Sequence, residues 1–320
     1  MNLDNMEKLR IVFMGTPEFA VATLASLVKH KYDVVGVITA PDKPAGRGRK
    51  LQESAVKKYA TANNLKVLQP TNLKSKDFLE ELIALKASLQ IVVAFRMLPQ
   101  VVWQIPACGT FNLHSSLLPN YRGAAPINWA IINGETETGV STFFIDDKID
   151  TGEIIIQEKT SIAPDDTAGT LHDKLMELGA DLVLKTVDLI KAGKVATVPQ
   201  KETAELKEAF KIHKDTCKIN WDLEIDTIYN HIRGLSPYPA SWTMLMDGET
   251  EIFLKIYNAS VEKETHDHKT GLLLIDKRTI KVAVEGGYIG LLEIQLPGKR
   301  KMKTHEVLNG LKLKEKAFVS

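Results

Sequence analysis

Asn112 and His114 stand two residues apart in Thr110-Phe-Asn-Leu-His114, and in a β-strand that spacing turns both polar side chains to one face and Leu113 to the other. Asp150 follows in Asp147-Lys-Ile-Asp-Thr-Gly152. Transfer of an acyl group to an amine needs a hydrogen-bond donor aimed at the oxygen on which charge develops. It also needs a group to take the amine proton and a partner that holds that base in one tautomer. Asn, His and Asp can supply those three roles. Each residue also has a plainer reading: a structural strand-end His, a turn-forming Asn, and an Asp in an Asx turn ahead of the next strand. Their company favours chemistry, because Ser115-Ser-Leu-Leu-Pro-Asn-Tyr-Arg-Gly-Ala-Ala-Pro126 is a Pro- and Gly-bounded loop long enough to line a pocket. The chain has no Gly-x-Ser-x-Gly turn, and Cys108 has no evident activating neighbour, so direct attack by the amine is simpler than a covalent acyl-enzyme.

These residues must be held by a sheet. Short β-rich runs alternate with helical patterns up to about Lys194, with strands expected at Arg10 to Met14, Val34 to Ile38, Leu89 to Ala94, Thr110 to Leu113 and Ser141 to Ile145. Ile154 to Thr160 reads as a hairpin partner of the last. The pattern predicts an α/β fold with an open, doubly wound, mostly parallel sheet of the Rossmann-like kind, in which ligands bind outside the carboxyl ends of the strands. Thr16 is placed to cap the first helix with Pro17 in its first turn. Gly15-Thr-Pro-Glu-Phe lacks the later glycines of a dinucleotide fingerprint, so the fold does not imply a nicotinamide cofactor. Pro126 starts a short helix that Gly134 ends, and Thr167 to Ala192 forms a long helix closing the first domain at Gly193.

A chain of 320 residues exceeds the usual single core, and the pattern divides it into a first domain over 1–194, a polar linker over 195–208 and a second domain over 209–320. The second domain has a helix at Glu224 to Ile232. Strands follow at Trp242 to Met246, Ile252 to Ala259, Gly271 to Ile275, Ile280 to Val284 and Ile289 to Gln295, which predicts a small antiparallel β-barrel, OB-like in kind. With 44% hydrophobic and 25% charged residues the composition excludes disordered, collagenous and membrane-embedded classes. The net charge of +1 hides two basic clusters, Lys43, Arg47, Arg49 and Lys50, then Lys299, Arg300, Lys301 and Lys303. Each could meet an anionic partner or be a solvated loop. Two cysteines, Cys108 and Cys217, make no disulfide framework, and the first apolar run is too short for a secretory core, so a cytoplasmic protein is expected.

Gly15-Thr-Pro-Glu-Phe-Ala20, Asn112-Leu-His114, Ser116-Leu-Leu-Pro119 with Arg122-Gly-Ala-Ala-Pro-Ile127, and Ile149-Asp-Thr-Gly152 resemble the methionyl-tRNA formyltransferase family. Pro41-Asp-Lys-Pro-Ala-Gly-Arg-Gly-Arg-Lys50 is similar to that family's basic loop insertion. Ile219-Asn-Trp221 and Ile232-Arg-Gly-Leu-Ser-Pro-Tyr-Pro239 are similar to the start of its carboxyl-terminal domain, so the resemblance covers nearly the whole chain. It implies the formyltransferase fold and a formyl group carried from 10-formyltetrahydrofolate, as co-substrate, to the α-amino group of methionyl initiator tRNA. It implies no metal, no membrane and no stable protein partner.

The resemblance also implies roles. Asn112 becomes the donor to the formyl oxygen, His114 the proton acceptor or orienting partner, and Asp150 the carboxylate that positions His114. Ser115, Ser116, Leu117, Leu118 and Pro119 wall the folate, with Arg122 beside the acceptor or in a structural ion pair. Phe19 touches the methionyl side chain or packs as a core aromatic, and Lys43, Arg47, Arg49 and Lys50 reach the acceptor stem while the barrel contacts the tRNA. Two departures stand out: Phe95-Arg96-Met97 where the family commonly has a smaller Tyr-Gly element beside the pterin, and Lys43 where Arg is frequent. Formyl transfer to an amino sugar or to glycinamide ribonucleotide would use the same trio, and a non-catalytic tRNA-binding module would need only the basic loop and barrel.

Overall fold

The computed structural model describes residues 9–45, 50–201, 205–314 and 316–320. They form two compact units. One takes in the described residues through Gly123 with Gly139–Thr160 and His172–Lys207, and the other Ala124–Thr138, Ser161–Leu171 and the described residues from Glu208. Among the described residues no helix is long and apolar enough to cross a membrane.

The first unit is built on strands β1 (Arg10–Gly15), β2 (Asp33–Ile38), β3 (Val67–Leu68), β4 (Leu89–Val93), β5 (Thr110–His114), β6 (Glu137–Phe144) and β7 (Ile154–Ser161), in the order β7-β6-β5-β4-β1-β2-β3. β1 pairs in parallel with β2 and β4, β2 with β3, and β4 with β5, while β6 runs antiparallel to β5. The mostly parallel, doubly wound sheet is therefore present. Ile11, Val12, Phe13, Met14, Ile91 and Phe111 are buried, as expected of strands covered on both faces. The chain winds one way through β2 and β3 and the other through β4 and β5. The switch point, where such sheets leave a crevice, falls at the carboxyl ends of β1 and β4.

Several boundaries differ from expectation for local reasons. Helix α1 (Glu18–Lys29) begins after Pro17, which is itself the extended boundary residue with no side-chain cap, so Thr16 does not cap it. β5 continues through His114. β6 starts at Glu137 because Thr138, Ser141 and Thr142 are small polar residues that bury in the sheet without an apolar pattern. The long helix α2 (Ala168–Lys191) carries Gly179, where a Cβ would lie 2.8 Å from the Leu113 side chain. That close approach fixes Leu113 on the helix-covered face of β5, leaving Asn112 and His114 on the other.

The second unit is an antiparallel barrel of β8 (Ser241–Asp247), β9 (Thr250–Lys263), β10 (Leu273–Ile275), β11 (Ile280–Val284), β12 (Gly287–Gln295), β13 (Met302–Lys303) and β14 (Phe318–Val319). The order is β10-β11-β12-β9-β8-β14, with β13 on β12. The ring closes where Leu272 bridges Phe318 and Val319 N–H donates to Gly271 O at 2.9 Å. Leu245, Leu254, Ile256, Ile289 and Leu291 fill it, and Ile228 and Ile232 of helix α3 (Ile225–Gly234) pack on that core.

His231 of α3 donates from Nε2 to Thr216 O at 2.8 Å, and burial pushes its pKa below the ordinary histidine value. A buried neutral histidine contributes stability above the unfolded pKa of about 6.5 that is lost as pH falls through that value toward the folded one. Thermal stability should therefore fall between roughly pH 7.5 and pH 5.5 more steeply in the native chain than in His231→Gln, whose amide keeps a donor for Thr216. Parallel pH curves for the two would remove His231 from the acid sensitivity of the barrel.

Candidate active site

His114 ends β5 almost fully buried, and its ring is held from two sides. Nε2 lies 2.8 Å from Tyr121 O, a pure acceptor, so the ring proton sits on Nε2. Nδ1 then carries the lone pair and lies 3.8 Å from Asp150 Oδ2. That separation is too long for a hydrogen bond. Asp150 is fixed in turn, its Oδ2 accepting from Gly123 N–H at 3.0 Å. Tyr121 and Asp150, the two residues that grip the ring, have left-handed backbones, with φ of 62° and 55°. For a tyrosine that conformation is strained, and such strain concentrates where function over-determines the backbone.

Asn112 is half-buried, and its Oδ1 is buried without a hydrogen-bond partner. An amide so placed has its Nδ2 end turned toward the accessible side. With Oδ1 on the buried side, the two Nδ2 donors are left for an incoming oxygen. The structure thus brings Asn112, His114 and Asp150 into one site.

The loop after His114 is tied down by its own Ser116 and by Ser141 and Gln157, which no motif marks. Ser116 Oγ donates to Asn120 O at 2.7 Å, and Ser141 Oγ donates to Ser116 O at 2.6 Å while accepting from Leu118 N–H at 3.1 Å. Gln157 Nε2 donates to Leu118 O and to Ser141 Oγ. Ser116 and Leu118 are consequently buried, while Ser115, Leu117 and Pro119 are half-buried. Arg122, for which an ion pair was one expectation, donates from Nε and Nη2 to Gln200 Oε1. Gly152 lets its turn close on β6, because a Cβ there would lie 1.6 Å from Phe144 O.

The remaining expected residues are spread more widely. Phe19 is buried on α1, edge-on to His172 with ring centroids 5.3 Å apart. Lys43 is exposed on a hairpin of Lys43–Ala45 and Lys50–Gln52, and Lys50 lies in its second strand. Arg47 and Arg49 lie outside the described residues. Both feet of this hairpin are clasped by Lys57, whose Nζ bonds Asp42 and, at 2.9 Å, Glu53 Oε1. Asp42 is held below the usual carboxylate range by the Lys57 and Gln69 hydrogen bonds. Arg96 folds onto Thr71 O and Pro70 O, with its guanidinium 5.5 Å from the Phe95 ring centroid. With Thr71 to Lys74 and Met97 to Pro99 it lines a cavity of about 440 Å³.

The chain matches known proteins along most of its length. The formyl transferase family matches residues 9–187, and the formyl transferase carboxyl-terminal domain matches 211–312. A methionyl-tRNA formyltransferase of Flavobacterium johnsoniae is 59% identical over 314 residues, covering 98% of this chain and 100% of the relative. One of Bacteroides fragilis is 54% identical, covering 97% of each. The chain belongs to the methionyl-tRNA formyltransferase family. Membership makes it an enzyme that transfers formyl groups. Within the wider fold, the crystal structure of WlaRD, a sugar 3N-formyl transferase in the presence of dTDP and 5-N-formyl-THF, superposes with a TM-score of 0.66 at 22% identity, covering 92% of this chain and 100% of that one. HypX from Aquifex aeolicus in complex with tetrahydrofolic acid gives 0.66 at 17% identity, over 96% of this chain and 49% of that one.

The tautomer assigned to His114 can be read directly. Nitrogen-15 NMR of the imidazole should show the proton on Nε2 and a pyridine-type Nδ1 in the neutral form. An Nδ1-protonated neutral ring would turn the lone pair toward Tyr121 and remove His114 as a base facing Asp150.

Proposed function

We propose that the chain transfers the formyl group of 10-formyltetrahydrofolate to the α-amino group of methionyl initiator tRNA, giving N-formylmethionyl-tRNA and tetrahydrofolate for translation initiation. The observation that carries the chemistry is the meeting of Asn112, with its buried Oδ1 and outward Nδ2, and the His114 ring whose Nδ1 faces Asp150. Full-length likeness to enzymes named for methionyl-tRNA supports the acceptor. The folate-type donor is supported by the family and by the orphaned Asn112 amide, which suits a carbonyl-like oxygen.

The residues divide the work. Ser115, Ser116, Leu117, Leu118 and Pro119 hold the folate, their backbone positioned by Ser141 and Gln157. Asn112 Nδ2 donates to the formyl oxygen as charge grows there. An α-amino group titrates near ~8, so a substantial share of the nucleophile is neutral at physiological pH and only modest base strength is needed. His114 Nδ1 takes the proton that the amine sheds on bonding to the formyl carbon, and the Asp150 carboxylate stabilises the resulting imidazolium. The leaving folate nitrogen takes up that proton from the imidazolium as its bond to the carbon breaks, which returns His114 to the neutral form.

Recognition of the acceptor falls to Phe19, Arg122 and the basic residues Lys43, Arg47, Arg49 and Lys50, with the paired strands that carry Lys43 and Lys50 held at their feet by Lys57. Residues 1–194, with Gln200 of the following segment bonded into the site, carry the chemistry, and the barrel over 209–320 contacts the tRNA through its backbone and shape. The enzyme works in the cytoplasm, without a metal and without a standing protein partner.

Labelled formyl transfer from 10-formyltetrahydrofolate tests the reading, with methionyl-tRNA offered beside a nucleotide-linked amino sugar and glycinamide ribonucleotide. Label should appear on methionyl-tRNA, and Asn112→Ala should lower turnover roughly 10²- to 10³-fold. Transfer only to the sugar or to glycinamide ribonucleotide would overturn the acceptor, and a near-normal rate in Asn112→Ala would overturn the oxygen donor.

A further inference from the structure

Gln200 lies beyond the long helix, in a polar segment that no motif marks, yet its amide makes four hydrogen bonds in the site. Nε2 donates to Asp150 O at 2.9 Å and to Gly152 O at 2.8 Å, and Oε1 accepts from Arg122 Nε at 3.0 Å and Nη2 at 2.8 Å. Both donors and both acceptor positions are used, so the amide has one orientation and no slack. Its partners are significant. Asp150 is the carboxylate facing His114 Nδ1, and Arg122 directly follows Tyr121, whose carbonyl receives His114 Nε2–H. One side chain therefore clasps the two segments that grip the catalytic ring from opposite nitrogens.

The backbone explains why a clasp is required. Tyr121 and Asp150 both have left-handed backbones, and a chain free to relax would leave them for commoner conformations. Asp150 Oδ2 on Gly123 N–H ties the two segments once, at the side chain. Gln200 ties them a second time, through the Asp150 and Gly152 carbonyls on one side and the Arg122 guanidinium on the other.

We propose that Gln200 is a positioning residue for formyl transfer, setting the separation between Asp150 and His114 without touching the reacting groups. The role rests on the function proposed above, and it predicts a particular pattern of variants. Gln200→Glu keeps acceptor oxygens for Arg122 but sets a second acceptor against the carbonyls of Asp150 and Gly152. Gln200→Ala removes every bond. Thr197, in the same segment, bonds the Glu153 side chain and no residue of the grip, so Thr197→Ala is the control.

In steady-state assays both Gln200 variants should lose roughly 10- to 100-fold in kcat while KM for each substrate stays within about twofold, the loss expected from a misplacement of about an ångström. Thr197→Ala should keep the native kcat. Imidazole NMR of His114 is read on the same four proteins independently of activity: its nitrogen shifts should move in both Gln200 variants and stay in Thr197→Ala. A native kcat in Gln200→Glu, an equal loss in Thr197→Ala, or a loss confined to KM would overturn the assignment. So would unmoved His114 shifts. Absence of formyl transfer in the native enzyme would count against the proposed function instead, and the shifts would still decide the clasp.

Discussion

The grip on one imidazole is the constraint on which the rest of the site depends. His114 has its Nε2–H committed to Tyr121 O and its Nδ1 set 3.8 Å from Asp150, so the ring can take a proton at one atom only. Neither gripping residue is held by regular secondary structure. Each occupies a left-handed backbone conformation that the surrounding hydrogen bonds must enforce. The sheet delivers Asn112 and His114 to one face because Gly179 presses α2 against Leu113 on the other, and Gly152 closes the Asp150 turn because no Cβ fits beside Phe144 O. Glycine at these two positions answers to a close approach.

Solved structures that include a sugar formyl transferase share the fold at 22% identity, so the architecture of strands and loop does not name the amine. What ties this chain to methionyl-tRNA formyltransferases is likeness over its full length, at 59% identity to the Flavobacterium johnsoniae enzyme. On the proposed reading, the site around Asn112, His114 and Asp150 would hold the formyl group and take the proton, and the surrounding surfaces would select the amine.

Much of this was legible in the sequence. The alternation in Thr110 to His114 placed Asn112 and His114 on one face because side chains in a strand repeat every two residues, and β-branched runs marked most strands. Ser141, Gln157 and Gln200 were not legible, because each acts through hydrogen bonds spanning 16 to 78 residues, which leave no local spacing behind. The closing strand Phe318–Val319 was too short to read, as was Val67–Leu68 at the sheet edge. Thr16 and Pro17 misled for a physical reason: a proline can mark the helix boundary itself as readily as occupy the first turn. The polar stretch over 195–208 read as a linker, although Val198 bridges Ile154 and Gln200 reaches the site.

The most direct test of the grip replaces the charge and keeps the shape. Asp150→Asn retains an oxygen for Gly123 N–H but presents no carboxylate to His114 Nδ1. In single-turnover formyl transfer to methionyl-tRNA the variant should lose at least about 10²-fold in rate, within the span usual for general acid and base groups, with substrate binding nearly unchanged. A native rate in Asp150→Asn would contradict the account, because the ring would then need no anionic partner to accept the amine proton.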